Sequence, residues 1–333
     1  MQDYYNQLGM QTSFNAYSYY GHTPLTAAMF SVKYEFTDNT PSLPTNMTEI
    51  GSQTYSTGNN AASTVHLYEY NNTLPLGFMV NMSTEANWNK ETGNPFTTQN
   101  SFVKTAIDSD ANIFHQLQTT DTVGTFTAKY QLEEDDNYKP SGDAATYDVY
   151  FYCVTSSETL TVNITNGSIT DDNSTTKTFS STNQNYICHV GNVSAGSTIT
   201  VTASDGQALT TCYAYAFDND AWETAYKLLN KNPYTVESYS DTKITGKVTA
   251  KKQGIMYTSI PYDKGWNVYV DGVKSKTTSI CSGALTGVLV EAGTHEITFK
   301  YTPKGLVPGI VITIICLLIF LGIIYKDLSL IHI

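Results

Sequence analysis

Leu306 to Tyr325 limits what this chain can become more than any other stretch. It is apolar apart from Pro308, Gly309, Thr313 and Gly322, and it carries no charge. About 20 such residues, at roughly 1.5 Å of rise each, cross a hydrocarbon core of about 30 Å. Core helices of soluble domains are shorter or amphipathic, so the expectation is one transmembrane helix. Lys304 precedes the run, and Lys326 and Asp327 follow it. Pro308 is tolerable in the first turn, where its missing N–H has no helical partner to lose. Whatever lies upstream is tied to a lipid bilayer.

The segment feeding this helix reads as a sheet with one wet face. Trp266, Val268 and Val270 share a face by strand alternation. Asp271-Gly272 tolerates positive φ and predicts a tight hairpin, with Val273 to Thr277 returning. After the Ala292-Gly293 turn, His295 to Tyr301 alternates again. Trp266 and His295 are both read as core side chains, stacking on a sugar ring being the rival use of Trp266.

Between Gly124 and Phe217 the pattern is β throughout. Strands are expected at Thr125–Gln131, Tyr147–Val154, Thr159–Ile164, Gln184–Val190, Ser197–Ala203 and Thr211–Phe217. That spacing suggests an antiparallel sandwich of jelly-roll type. Asp218–Asn230 reads as a helix closed by Pro233. Nearer the N-terminus, Tyr17–His22 is an aromatic-polar segment, and Thr26–Phe36 a short helix running into a strand. Val65–Tyr70 and Leu76–Asn81 read as strands, and Asp38–Asn60, rich in Thr, Asn, Ser, Pro and Gly, as a loop. Ala86–Lys90, Phe102–Ala106 and Ile113–Leu117 read as short helical pieces.

The fold class expected is mainly β: antiparallel β-sandwich (jelly-roll-like) domains, a small α+β N-terminal unit and one C-terminal transmembrane helix. The units are 1–90 (α+β), 91–232 (sandwich with connector and closing helix), 233–303 (membrane-proximal β domain), 304–327 (helix) and 328–333 (tail). A net charge of −12 argues against nucleic acid as partner, since phosphate binding demands a basic surface. Any polymer met by this surface is expected to be neutral or cationic.

The run IPYDKGWNVYVDGVK, then GALTGVLVEAGTHEITFKYTPKGLVPG, then an apolar helix resembles the end of the bacterial YfhO family of multi-pass membrane proteins. Pro261, Tyr262, Asp263, Gly265, Trp266, Asp271, Gly272, Gly293, His295, Tyr301, Pro303, Gly305 and Gly309 all fall in order. Upstream, Phe30–Tyr34, Leu74–Phe78 and Asn94–Asn100 look like the same family. The resemblance implies kinship with GT-C glycosyltransferases, which use lipid-linked sugar donors. It implies a large N-terminal helix bundle carrying the catalytic acid, followed by an extracytoplasmic C-terminal region.

For this chain it implies a place outside the cell membrane and an accessory role, positioning the acceptor for transfer to cell-envelope glycopolymers. The implied partners are the lipid bilayer, the N-terminal transmembrane bundle missing here, and cell-envelope polysaccharide. The alternative is a stand-alone, membrane-anchored glycan-binding or adhesive module. The chain is expected to be a fragment without transferase activity of its own. Met1–Tyr5 lacks a basic or apolar leader, and Leu328–Ile333 resembles a translated sequencing adaptor.

No catalytic, cofactor-binding or metal residue is assigned. Asp108-Ser109-Asp110 and Asp218-Asn219-Asp220 match the DxD pattern of some glycosyltransferases, but three-residue patterns recur by chance. Glu133–Asp136 reads as a solvated acidic loop without EF-hand spacing. His22, His66, His115, His189 and His295 are scattered, with no HExxH or Ser/His/Asp arrangement. Sequons at Asn46, Asn71, Asn81, Asn163, Asn166, Asn173 and Asn192 carry little weight in a bacterial protein. Cys316 lies in the helix. Cys153, Cys188, Cys212 and Cys281 lack CxxC spacing and are read as buried free thiols. One disulfide within the group Cys153, Cys188 and Cys212 is the other reading, for an exported domain.

Overall fold

Rows of alternating Thr, Val, Ile and Tyr give each strand of the central region one apolar face, and two such faces make a core. The computed structural model describes residues 1–13, 16–37, 46–56, 62–90, 93–119, 127–131, 146–171 and 173–331. In the first sandwich, one sheet runs in the order Cys188–Ser194, Thr146–Thr155, Leu209–Phe217, Phe114–Gln116. The facing sheet runs Thr176–Ser180, Thr159–Thr165, Thr198–Ala203, Thr127–Gln131, Gln118–Thr119. Antiparallel strands that alternate between sheets in this order form a jelly roll. Val149, Phe151, Leu160, Val162, Ile199 and Val201 fill it.

The second sandwich pairs the sheet Thr235–Ser240, Lys243–Ala250, Gly293–Tyr301, Trp266–Val270, Val273–Ser275 with the sheet Thr277–Ile280, Leu285–Val290, Gly254–Pro261, Gly77–Asn81. Its core holds Val248, Met256, Val268, Val288, Ile297 and Phe299. Asp271 (φ 50°) and Gly272 (φ 78°) make the expected hairpin turn. The strand Gly77–Asn81 comes from far upstream and pairs with Gly254–Pro261. Gly77 permits this: a Cβ there would lie 3.0 Å from Tyr234 Cβ.

Between the sandwiches lies a layer built on the helices Gln2–Gln7, Pro24–Met29, Pro95–Ile107 and Asn219–Leu229. Tyr4, Leu8, Phe96, Phe102, Phe114, Trp222, Tyr257 and Leu285 belong to one core. The inner sheet of each sandwich is therefore covered on both faces. In Thr146–Thr155, Val149 and Phe151 enter the jelly roll while Tyr150 faces the helices. Pro95–Ile107 is the centre of the layer. Asn94 caps it through Oδ1, which accepts the Phe96 N–H at 3.1 Å, and Pro95 takes the first position. Asp108 ends it in the left-handed conformation, φ 58°.

Several expectations need correction. Ile113–Leu117 is not helical: Phe114–Gln116 is an edge strand paired with Leu209–Phe217, tertiary pairing overriding local pattern. Asp38–Asn60 is not all loop. It contains the strand Met47–Tyr55, whose side chains are mostly exposed, so no alternation of burial betrays it. Residues 38–45 and 57–60 lie outside the described residues, as does Glu133–Asp136. The strand expected at Gln184–Val190 is Cys188–Ser194, preceded by a 3-10 turn at Thr182–Gln184, and Thr176–Ser180 is a further strand. Cys153 and Cys212 are not free thiols. They face each other across neighbouring strands, Cα atoms 4.0 Å apart, and form a disulfide. Cys188 and Cys281 are buried free thiols.

The C-terminal helix runs Leu306–Ile331. Its stretch Leu306–Lys326 has mean hydropathy 3.0 and none of it is buried, as a lipid-facing span requires. Trp266 is half-buried against Phe299 and Tyr301. His295 sits at the rim, with Nδ1 2.7 Å from Asp271 Oδ2, rather than inside the core.

Candidate functional site

A small sheet, in the order Tyr34–Thr37, Ser63–Tyr70, Met47–Tyr55, stands outside both sandwiches. Its inner face seats Met47, Tyr68 and Tyr70 on Ala27. Register puts Phe36, Leu67, Val65 and Tyr55 on the other face. There Phe36 is 70% exposed and Tyr55 44%, and Tyr20 beside them is 67% exposed. Together with Tyr19, His22, Glu35, Thr37 and Val65 they line an open groove of about 530 Å³. A second hollow of about 460 Å³ shares Phe36, Tyr55 and Val65. Gly21, at φ +84°, lets the chain turn between Tyr20 and His22. A Cβ there would lie 2.5 Å from the Gly9 carbonyl oxygen.

The polar end of the groove is fixed by hydrogen bonds. The Tyr70 hydroxyl donates to Glu35 Oε2 at 2.6 Å, and His22 Nε2 lies 3.5 Å from the same oxygen. His22 stacks on Tyr19, with centroids 4.4 Å apart, and its Nδ1 is 2.9 Å from the Tyr19 carbonyl oxygen. Burial lowers the His22 pKa; the Glu35 carboxylate opposes this, and nearby His189 adds a smaller depression. Burial also pushes Tyr19 and Tyr70 upward, so both are neutral phenols. Behind His22, His189 Nε2 lies 2.6 Å from the buried Asp148, and its ring stacks on Tyr150 at 4.4 Å.

This arrangement offers stacking faces and hydrogen-bonding groups to a ligand. Aromatic faces and a carboxylate fit a polyhydroxylated ring, which has apolar faces and a polar rim. Hydrolysis of a glycoside would need two carboxyl groups roughly 5–9.5 Å apart. Among the described residues lining the groove, Glu35 is the one carboxylate.

The structure also places the motifs considered earlier. Asp218 Oδ1 accepts the Ala221 N–H at 2.9 Å and caps Asn219–Leu229, while Asp108 ends the central helix; both are helix-terminal positions. Each described histidine faces a carboxylate: His22–Glu35, His66–Glu49, His115–Asp218, His189–Asp148 and His295–Asp271. Among the described residues no three His, Cys, Asp or Glu side chains gather as metal ligands. Sequence reasoning missed Glu35, Phe36 and Tyr55 as a group. Only the exposed aromatic at every second position, Tyr34 then Phe36, hinted at them.

The family profile described as bacterial membrane protein YfhO matches residues 1–313. No curated protein matches the chain. Among solved structures, a quercetin 2,3-dioxygenase from Acinetobacter baumannii is similar at 9% identity, covering 57% of this chain and 78% of its own, with TM-score 0.13. GK1651 from Geobacillus kaustophilus is similar at 11% identity, covering 57% and 94%, with TM-score 0.15. Likenesses that weak carry no argument. The profile match runs through both sandwiches and into the apolar helix, and the chain belongs to the family of the bacterial membrane protein YfhO.

Proposed function

We propose that this chain is the extracytoplasmic region of a GT-C-like glycosyltransferase of the YfhO family, and that it holds the acceptor, a neutral or cationic cell-envelope glycopolymer. The observation that carries this reading is the groove, where Tyr20, Phe36 and Tyr55 stand exposed beside Glu35 and a neutral His22. Its volume of about 530 Å³ falls within the range of roughly 300–1,000 Å³ usual for small-ligand sites. Sugar transfer needs an acid or base positioned at the membrane surface. That chemistry is assigned to the helix bundle the family resemblance implies, and the chain alone is expected to be inactive. The Cys153–Cys212 disulfide supports the extracytoplasmic side, because such bonds persist in oxidising compartments. The same groove on one anchor also supports the second reading, a stand-alone glycan-binding module.

Calorimetric titration of the solubilised chain with purified envelope polysaccharide tests the groove. Phe36→Ala with Tyr55→Ala is expected to weaken binding about tenfold or more, roughly 1.4 kcal/mol. Binding unaffected by that pair sinks the reading. In cells, lost polymer glycosylation in the same variant supports the transferase role; normal glycosylation with lost binding supports the free-standing module. Sidedness is read with a membrane-impermeant amine reagent, which should label the exposed Lys251 and Lys252 on intact cells; labelling only after lysis sinks the extracytoplasmic placement.

A further inference from the structure

The second sandwich meets the helix without slack. Strand Gly293–Tyr301 ends, Thr302 N–H donates to the Gly265 carbonyl at 3.0 Å, and Leu306 N–H donates to the Pro303 carbonyl at 3.2 Å. Gly305, at φ 89°, takes the third place of that turn, as a type II turn demands. Four linking residues reach at most about 14 Å even when extended. The end of the sandwich level with Tyr301 therefore lies against the bilayer surface.

That end is basic in an acidic chain. Lys243 and Lys300 are directly opposite each other on adjacent strands, a like-charge placement that costs stability unless an anion lies between them. Lys264 and Lys304 are exposed beside them, on a chain whose net charge is −12. Two exposed acids share this end, Asp263, whose Oδ1 accepts the Gly265 N–H at 2.6 Å, and Asp241 in the adjoining hairpin turn, and the four lysines outnumber them. Trp266 and Tyr301 are register partners at the same level, with rings 4.9 Å apart and both half-buried. Trp and Tyr favour the headgroup level, where one edge is apolar and the other wet.

We propose that this end of the sandwich is a second membrane contact, with Trp266 and Tyr301 at headgroup level and Lys243, Lys264, Lys300 and Lys304 on the phosphates of anionic lipids. The helix tethers the chain; this contact fixes the attitude of the body on the membrane.

The full chain in lipid nanodiscs tests it. Trp88 and Trp222 are 4% and 1% exposed, so Trp266 is the indole that lipid can reach. A headgroup-labelled phosphatidylcholine quencher should dim the emission of the wild-type chain, and the effect should vanish in Trp266→Phe, which keeps an apolar ring. Hydrogen exchange of residues 239–245 and 262–267 should slow when phosphatidylglycerol replaces part of the phosphatidylcholine. The expected effect is up to about five-fold per engaged lysine, and Lys243→Gln with Lys300→Gln should remove most of it. Absent quenching overturns the surface contact. Equal exchange in both lipids overturns phosphate recognition.

Discussion

Asn100→Ala is expected to cost more than any exposed substitution in this chain. Asn100 lies inside Pro95–Ile107 and is 7% exposed. Its Oδ1 accepts two backbone N–H groups, Ile113 and Phe114, each at 2.9 Å, and its Nδ2 donates to the Phe114 carbonyl at 2.8 Å. These bonds seat the start of the edge strand Phe114–Gln116 on the central helix, and with it Phe114, which is 1% exposed. An alanine leaves two buried N–H groups unpaired. At roughly 1–3 kcal/mol for each stranded group, the loss is about 2–6 kcal/mol. Against a total stability of order 5–15 kcal/mol, that is a large fraction.

Denaturant unfolding of the solubilised chain, followed by tryptophan emission, measures it. Trp88 reports on the same layer, since its ring lies 4.9 Å from Phe102. Ser101→Ala is the control one residue away: its hydroxyl accepts the exposed Asn89 N–H at 2.9 Å, and its cost should stay below about 1 kcal/mol. If Asn100→Ala and Ser101→Ala unfold at the same denaturant concentration, the strand is not held by Asn100.

Other perturbations are as direct. His22 has a folded-state pKa below its ordinary 6.5, so the unfolded chain binds that proton more readily; stability should fall as pH drops from about 6.5, and His22→Gln should flatten that limb of the curve. Asp218, held low by His115 and the Ala221 N–H despite the opposing effect of burial, adds a separate loss only when pH falls through the ordinary carboxylate range and below. Trp266→Ala should cost about 2–3 kcal/mol, less than the roughly 3–5 of a fully buried ring, because Trp266 is half-buried. Truncation after Tyr301 should release the chain into the soluble fraction, whereas the full chain should resist carbonate extraction.

Strands whose burial alternates were legible from sequence, and so were the spanning helix and the Asp271-Gly272 hairpin. Val268 and Val270 declare their side by period alone. Pro95–Ile107 was legible only in its second half, because Thr97, Thr98, Gln99 and Asn100 read as polar; the Thr97 and Thr98 hydroxyls bond the Asn94 carbonyl, and Gln99 and Asn100 are satisfied by partners elsewhere along the chain. Gln99 takes the Thr23 hydroxyl at 2.6 Å and gives a bond to the Leu8 carbonyl at 2.9 Å, 91 residues away. The exposed strand Met47–Tyr55 has no buried row to reveal it. The carboxylate partner of each histidine was invisible for a similar reason: Asp218 lies 103 positions beyond His115, and no local pattern encodes that meeting.

Two of the upstream segments that carry the family resemblance, Phe30–Tyr34 and Asn94–Asn100, sit where units join, not at the groove. Ser31, in Phe30–Tyr34, donates to the Pro75 carbonyl at 3.1 Å and lies 3.1 Å from the Ser259 hydroxyl of the second sandwich. Asn94 reaches the Tyr215 hydroxyl of the first sandwich at 2.9 Å. Glu85 completes the junction, accepting from the Tyr257 hydroxyl and from the Cys281 N–H, and pairing with Lys90 at 2.9 Å. Tyr20, Phe36 and Tyr55 fall outside all of those segments. Polar junctions of this kind have one good geometry, since a stranded partner costs more than the bond contributes. They tie the two sandwiches to the helical layer, and the groove's sheet packs on that assembly through Ala27. Under the proposed function, a polymer lying on Phe36 and Tyr55 is presented from a sheet packed on the body above the membrane anchor. On that proposed reading, substitutions on the groove face change which polymer is held without loosening the body that presents it.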